Sequence, residues 1–240
     1  MIEHVCARAA RAPSVAAVVV ATDDERIARA VEAFGGIAWM TRPDHPSGSD
    51  RLAEVAAELD SAVIVNVQGD EPLIEPAMIE QALAPVLADA SVPMCTLRRR
   101  IVDAADWTDP NVVKVVVDRR GFALYFSRAA LPFVRRQPEP PAARSIEAVA
   151  PAAPVAPDGA GPWKHIGLYV YRREFLVTFA GLPPAPLELA ESLEQLRALE
   201  HGYRIMTVET DLDTLSVDTP GDLERVRLLL PAGARNRARR

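Results

Sequence analysis

Val63-Ile64-Val65-Asn66-Val67-Gln68-Gly69-Asp70-Glu71-Pro72 is the stretch that decides how this chain folds. A short apolar, β-branched run leads into a glycine and two acids, the pattern of a buried strand that delivers carboxylates at its C-terminal end. Open α/β sheets bind their ligands at that edge. Asp70 is thereby placed to hold a divalent cation, and a cation there favours a polyphosphate. The same residues also suit an ordinary strand-to-helix loop with Asp70 or Glu71 near a helix N-terminus. The motif alone does not choose between the two.

Outward from this stretch, apolar runs alternate with amphipathic ones. A helix over 3–10 precedes a buried strand at 17–21. Asp23 or Asp24 caps a helix that runs to Ala33 and ends at Gly35-Gly36. A strand at 37–40 and a polar loop at 42–48 follow, and Ser49 or Asp50 starts a helix to Leu59. Beyond the strand at 63–67 lie a helix at 78–88 and β-rich runs at 112–117 and 122–126, joined by a turn at 118–121. A strand at 166–171, helices around Phe175 and over 187–199, a strand at 204–208 and a closing helix at 220–230 complete the chain. This alternation predicts an α/β fold: a doubly wound, mostly parallel sheet with helices on both faces. The paired runs in the middle predict a smaller antiparallel piece.

Composition narrows the function classes. The 240 residues are enough for one domain with one sizeable core. Hydrophobic residues at 49% and charged ones at 25% are the balance of a soluble globular protein. The net charge of −6 argues against a nucleic-acid surface. Cys6 and Cys95 are too few for a disulfide framework and are not spaced as a metal knuckle, which fits a reducing compartment. No apolar run reaches transmembrane length and no signal-peptide pattern opens the chain, so the expected location is cytoplasmic. The stretch 137–162 is dominated by proline and alanine and reads as a loop or extended excursion, and 234–240 as a basic, frayed tail. Glu188, Glu191 and Glu194 recur every three residues in the expected helix over 187–199, which on its own reads as a solvated face.

Eight collinear blocks carry a resemblance. They are Val19-Val20-Ala21-Thr22-Asp23-Asp24, Met40-Thr41-Arg42-Pro43-Asp44-His45 continuing into Ser47-Gly48-Ser49-Asp50-Arg51-Leu52, and Val65-Asn66-Val67-Gln68-Gly69-Asp70-Glu71-Pro72. Next come Val113-Lys114-Val115-Val116, Ala123-Leu124-Tyr125-Phe126-Ser127-Arg128 and His165-Ile166-Gly167-Leu168-Tyr169. Leu193-Glu194-Gln195-Leu196-Arg197 and Val217-Asp218-Thr219-Pro220 close the series. In these blocks, spread over nearly the whole chain, the sequence resembles the 3-deoxy-manno-octulosonate (Kdo) cytidylyltransferases, or CMP-Kdo synthetases.

The resemblance implies a nucleotidyltransferase of lipopolysaccharide biosynthesis. CTP and Kdo become CMP-Kdo and pyrophosphate with Mg²⁺, the sugar's anomeric hydroxyl attacking the α-phosphorus. Such a step asks the protein chiefly for positioning and charge stabilisation. By resemblance, Asp70 and Asp218 are the catalytic, metal-holding carboxylates; read alone, Asp218 is an N-cap ahead of Pro220. Ala21, Thr22, Asp23, Gly48, Ser49 and Arg51 match the nucleotide segments. Gln68, Arg128, Arg135, His165, Tyr169, Glu194 and Gln195 match the sugar site, where an arginine fork suits a carboxylate. His165 and Tyr169, four apart on a strand, share a face. A homodimer, formed near the antiparallel strands, is also implied.

The front of the chain departs from the pattern. Family members open with an apolar strand and a basic loop that grips the triphosphate, whereas Met1-Ile2-Glu3-His4-Val5 matches the segment just after it. The expectation is therefore an N-terminally incomplete enzyme with weak or no activity, whose sheet lacks its first central strand and so either keeps unpaired edges or closes up. Two alternatives stay open. One is a non-catalytic protein that binds an acidic sugar or pairs with a full-length copy. The other is a cytidylyltransferase for another acid sugar, such as 8-amino-Kdo or a sialic acid.

Overall fold

The structure, a computed structural model, describes residues 1–133, 161–217 and 219–229. Helix α1 (Ile2–Ala9) leads to strand β1 (Val19–Thr22), helix α2 (Glu25–Ala33) and strand β2 (Ile37–Met40). Asp24 caps α2, its carboxylate accepting from the Arg26 N–H at 2.7 Å. Gly35 ends it with a φ of 81°, a conformation that costs glycine little. β1 and β2 pair in parallel and form a two-stranded sheet of their own. Among the described strands, β1 pairs only with β2.

Helix α3 (Gly48–Glu58) leads to β3 (Val63–Asn66), and helix α4 (Pro76–Ala88) to β4 (Met94–Arg100). After the short helix α5 (Ala104–Thr108) come β5 (Lys114–Val117), β6 (Ala123–Ser127) and β7 (Trp163–Arg172). Helices α6 (Arg173–Ala180), α7 (Pro186–Glu191) and α8 (Gln195–Glu200) precede β8 (Ile205–Glu209), and α9 (Pro220–Leu229) ends the described chain. The larger sheet runs β6-β5-β7-β4-β8, with β3 also paired to β7. β7 lies antiparallel to β3, β4 and β5, while β4 and β8 are parallel. The α/β class is as expected, and the long β7 makes this sheet mixed.

Alternation along β7 divides the core. Ile166, Leu168 and Val170 pack with Met78, Ile79 and Leu83 of α4, while Trp163 and Tyr171 join Phe126, Leu176, Phe179 and Leu196 on the other side. Each such fully buried side chain contributes about 1.5–3 kcal/mol relative to exposure.

Three local expectations need correction. β4 is a strand that the sequence reading leaves out, because Arg98-Arg99-Arg100 looks like surface. The Arg98 and Arg100 guanidiniums sit 5.0 and 5.1 Å from the Trp163 ring centroid, and Arg99 pairs with Asp213 at 2.6 Å, so the arginines are supported within the sheet. The cap of α3 is Ser47, not Ser49 or Asp50; its hydroxyl accepts from the Asp50 N–H at 3.2 Å. The expected helix over 187–199 is two helices, broken where Ser192 adopts a left-handed φ of 52°.

Arg135, Asp218, the tail at 234–240 and the proline- and alanine-rich stretch, except Gly161 and Pro162, lie outside the described residues. No helix among the described residues is long and apolar enough to cross a membrane.

Candidate active site

The residues expected at the nucleotide gather where β1 and β2 end against α3. Thr22 is buried at the end of β1, and its backbone carbonyl accepts from the Thr41 N–H at 2.9 Å. Asp23, one residue on, pairs with Arg51 of α3 at 3.1 Å, and the same guanidinium group donates to the Thr41 hydroxyl at 2.5 Å. Arg51 thus ties three elements together. His45, in the loop before α3, lies 2.5 Å from Glu54 through its Nε2 and fixes that loop from the other side. Ala21 stands next to Thr22 in β1, and Gly48 and Ser49 form the first turn of α3.

A pocket of about 180 Å³ opens beside that first turn. Gly48 and Ser49 line it together with Gln68, Tyr169, Glu194 and Gln195, which come from four separate parts of the chain. Asn66, Tyr171, Ser192 and Leu193 line it too, and sequence reasoning missed them. The signal for Tyr171 was available: it lies two residues beyond Tyr169 on a strand and therefore on the same face.

The three glutamates expected on a solvated face are each engaged. Glu188 and Arg197 form a buried bidentate pair at 2.5 and 2.8 Å, which clamps α7 to α8. Glu191 accepts from the Ser127 hydroxyl at 2.6 Å and the Arg128 N–H at 2.9 Å. Burial works against its charge, but these bonds and that of Tyr125 hold its carboxyl below the usual range. Glu194 accepts from the Ser49 hydroxyl at 2.7 Å. The Arg128 guanidinium donates to backbone carbonyls, to Glu191 at 2.8 Å and Pro110 at 3.0 Å, and so holds the turn that presents Ser192 to Gln195.

His165 stands behind the pocket rather than in its lining. Its ring meets Tyr169 at 5.3 Å and Phe126 at 5.1 Å between centroids. Burial pushes the imidazole down to about 3, so it is neutral. The Thr96 hydroxyl oxygen lies 2.9 Å from His165 Nε2 and 2.8 Å from the Leu168 carbonyl. A hydroxyl has one proton, and the carbonyl can only accept it. Thr96 therefore donates to the carbonyl, and His165 Nε2–H donates to Thr96. Nδ1 then carries the ring's lone pair.

Asp70 follows Gln68 by two residues, in the turn after β3. Its Oδ1 is buried and has no hydrogen-bond partner among the described residues. A buried carboxylate oxygen left in this way is costly in the absence of a counter-charge and suits a hard divalent cation. The Asp70 carbonyl accepts from the Val217 N–H at 3.0 Å, and Thr214 bonds Glu71, so the 214–217 segment is stitched to this strand end. Among the described residues there is no group of three or more His, Cys, Asp or Glu able to hold a metal.

The family model of the cytidylyltransferases matches residues 1–205. The chain is 56% identical over 226 residues to the 3-deoxy-manno-octulosonate cytidylyltransferase of Syntrophotalea carbinolica, covering 94% of this chain and 86% of the relative. To the Geobacter metallireducens protein of the same name it is 55% identical over 226 residues, covering 94% and 85%. Among solved structures it is similar to a CMP:2-keto-3-deoxy-manno-octonic acid synthetase complexed with CTP. That match has a TM-score of 0.82 and 43% identity, over 95% of this chain and 86% of the other. A 4-diphosphocytidyl-2C-methyl-D-erythritol synthase, at TM-score 0.58 and 14% identity over 96% and 88% of the two chains, shares the fold.

Proposed function

From its membership in the 3-deoxy-manno-octulosonate branch of the cytidylyltransferase family, we propose that this chain transfers the cytidylyl group of CTP to Kdo. Pyrophosphate is released, and the CMP-Kdo serves lipopolysaccharide assembly. The observation that carries this reading is the convergence of Gly48 and Ser49 with Gln68, Tyr169, Glu194 and Gln195 on one pocket, with Gln68 two residues from a carboxylate oxygen of Asp70 that is buried and has no partner among the described residues.

Each residue has a role consistent with its surroundings. Asp70, with Asp218 as its second carboxylate, is the proposed holder of a divalent cation, Mg²⁺ by chemistry. Mg²⁺, when bound, neutralises phosphate charge as the α-phosphorus is attacked and pyrophosphate departs. Ala21, Thr22 and Asp23, held by Arg51, present the end of β1 to the nucleotide, while Gly48 and Ser49 offer backbone N–H groups at the first turn of α3. Gln68, Glu194 and Gln195 offer amide and carboxylate groups to the sugar hydroxyls. Neutral His165, behind the pocket, orients Tyr169 by ring contact. Arg128 positions the Ser192–Gln195 turn through its carbonyl contacts, and Arg135 is the proposed cation for the sugar carboxylate. The resemblance also supports a homodimer. β6, at the edge of the larger sheet with Leu124 63% exposed, is where a second copy is proposed to meet it.

The test is pyrophosphate release with CTP, Mg²⁺ and each of Kdo, 8-amino-Kdo and a sialic acid. The expected result is CMP-Kdo formation, with Kdo preferred. Absence of product from all three acid sugars, with the protein folded, would overturn the reading.

A further inference from the structure

Ser49 belongs to the first turn of α3, on the nucleotide side, yet its hydroxyl is spent on the sugar side. It is 5% exposed and donates to Glu194 Oε2 at 2.7 Å, across 145 positions of sequence. Tyr171 lines the same pocket. The bond occupies one carboxylate oxygen of Glu194 and leaves the other to a sugar hydroxyl. The opposite end of the turn is fixed by Arg128, Glu191 and the Glu188–Arg197 pair. Ser49 is thus a hydrogen-bonded link from α3 to a turn whose opposite end is anchored elsewhere.

We propose that Ser49 is a positioning residue that couples the two substrates: nucleotide seated on the first turn of α3 fixes the Ser49 hydroxyl, which fixes Glu194 for the sugar. The inference rests on the Kdo cytidylyltransferase reading given above. A hydroxyl-to-carboxylate bond is charge-assisted and therefore directional, so ordering its donor orders its acceptor. Coupling of this kind is reciprocal: CTP tightens the sugar by the same factor as the sugar tightens CTP.

The test is calorimetric titration of Kdo into the protein with and without saturating CTP, Mg²⁺ being withheld to prevent turnover. In wild type, CTP is expected to tighten Kdo by about tenfold, the scale of one hydrogen bond to a charged group. Ser49→Ala should abolish most of that tightening while still binding each ligand, and Ser49→Thr, which keeps the hydroxyl, should retain it. Glu194→Gln alters the other partner and should reduce the coupling from the opposite side. Full tightening in Ser49→Ala would overturn the inference, as would wild type binding both ligands with no tightening. Wild type binding neither ligand would instead overturn the functional reading on which the inference stands.

Discussion

The turn between α7 and α8 and the strand end at Asp70 face the same chemistry with opposite arrangements of polar groups. Around the turn, polar groups are already satisfied by the protein: Glu188 by Arg197, Glu191 by Ser127 and Arg128, Glu194 by Ser49. At the strand end, Asp70 Oδ1 is buried without a partner among the described residues. A wall that must present hydroxyl-binding groups in a fixed pattern gains from being built in advance. A carboxylate meant for a cation gains from being left unsatisfied, because an internal donor would compete with the ligand. On the proposed function, the turn is largely built before binding, with the Ser49–Glu194 bond left for the nucleotide to order, and the Asp70 end is completed by the cation.

The largest effect expected is on the rigid side. Glu188 and Arg197 are both buried, and removing one partner strands the other charge. Glu188→Gln should destabilise the protein by about 3–5 kcal/mol in denaturant unfolding, whereas Glu188→Met with Arg197→Leu should recover most of the loss. A cost below about 1 kcal/mol for the single change, the level of a surface pair, would remove the distinction between the two regions.

An effect spread over several pH units comes from His165. Its imidazole is pushed from the ordinary value of about 6.5 down to about 3 by burial. The unfolded chain therefore takes up the proton first as pH falls. The sign follows: stability is fully present above about pH 6.5 and is lost as pH drops toward 3. His165→Gln should flatten the stability curve in that window by up to about 1.4 kcal/mol per pH unit. An unchanged acid limb, measured by urea unfolding at several pH values, would mean that the ring is not held neutral behind Tyr169.

Much of this arrangement was legible in the sequence because local chemistry dictated it. Asp24 and Gly35 bound α2 through a side-chain cap and a positive φ, and the apolar run into Gly69-Asp70 gave the strand end. What stayed hidden depends on partners distant in sequence. The end of β4 looks polar because its arginines are explained by partners distant in sequence, Trp163, Thr207 and Asp213 among them. The break at Ser192 has no glycine or proline to announce it; Arg128 and Ser127, some 64 positions away, hold it in place. The same holds for the glutamates, whose three-residue spacing is that of a solvated helix face until the helix is seen to break. For the candidate site, the residues assigned to the two substrates supply six of the pocket's lining residues; Asn66 and Leu193 lie in the motif blocks with no role assigned, and Tyr171 and Ser192 lie outside them.

The most direct test of the contrast is thermal unfolding of wild type and Asp70→Asn, each with CTP and with or without Mg²⁺. Asp70→Asn removes a charge whose buried Oδ1 has no donor among the described residues, so without the cation it should be at least as stable as wild type. Adding Mg²⁺ should raise the unfolding temperature of wild type and leave the variant unmoved. If both proteins gain equally from Mg²⁺, or if Asp70→Asn is markedly less stable without it, then Asp70 is an ordinary structural residue and this end of the strand does not await a cation.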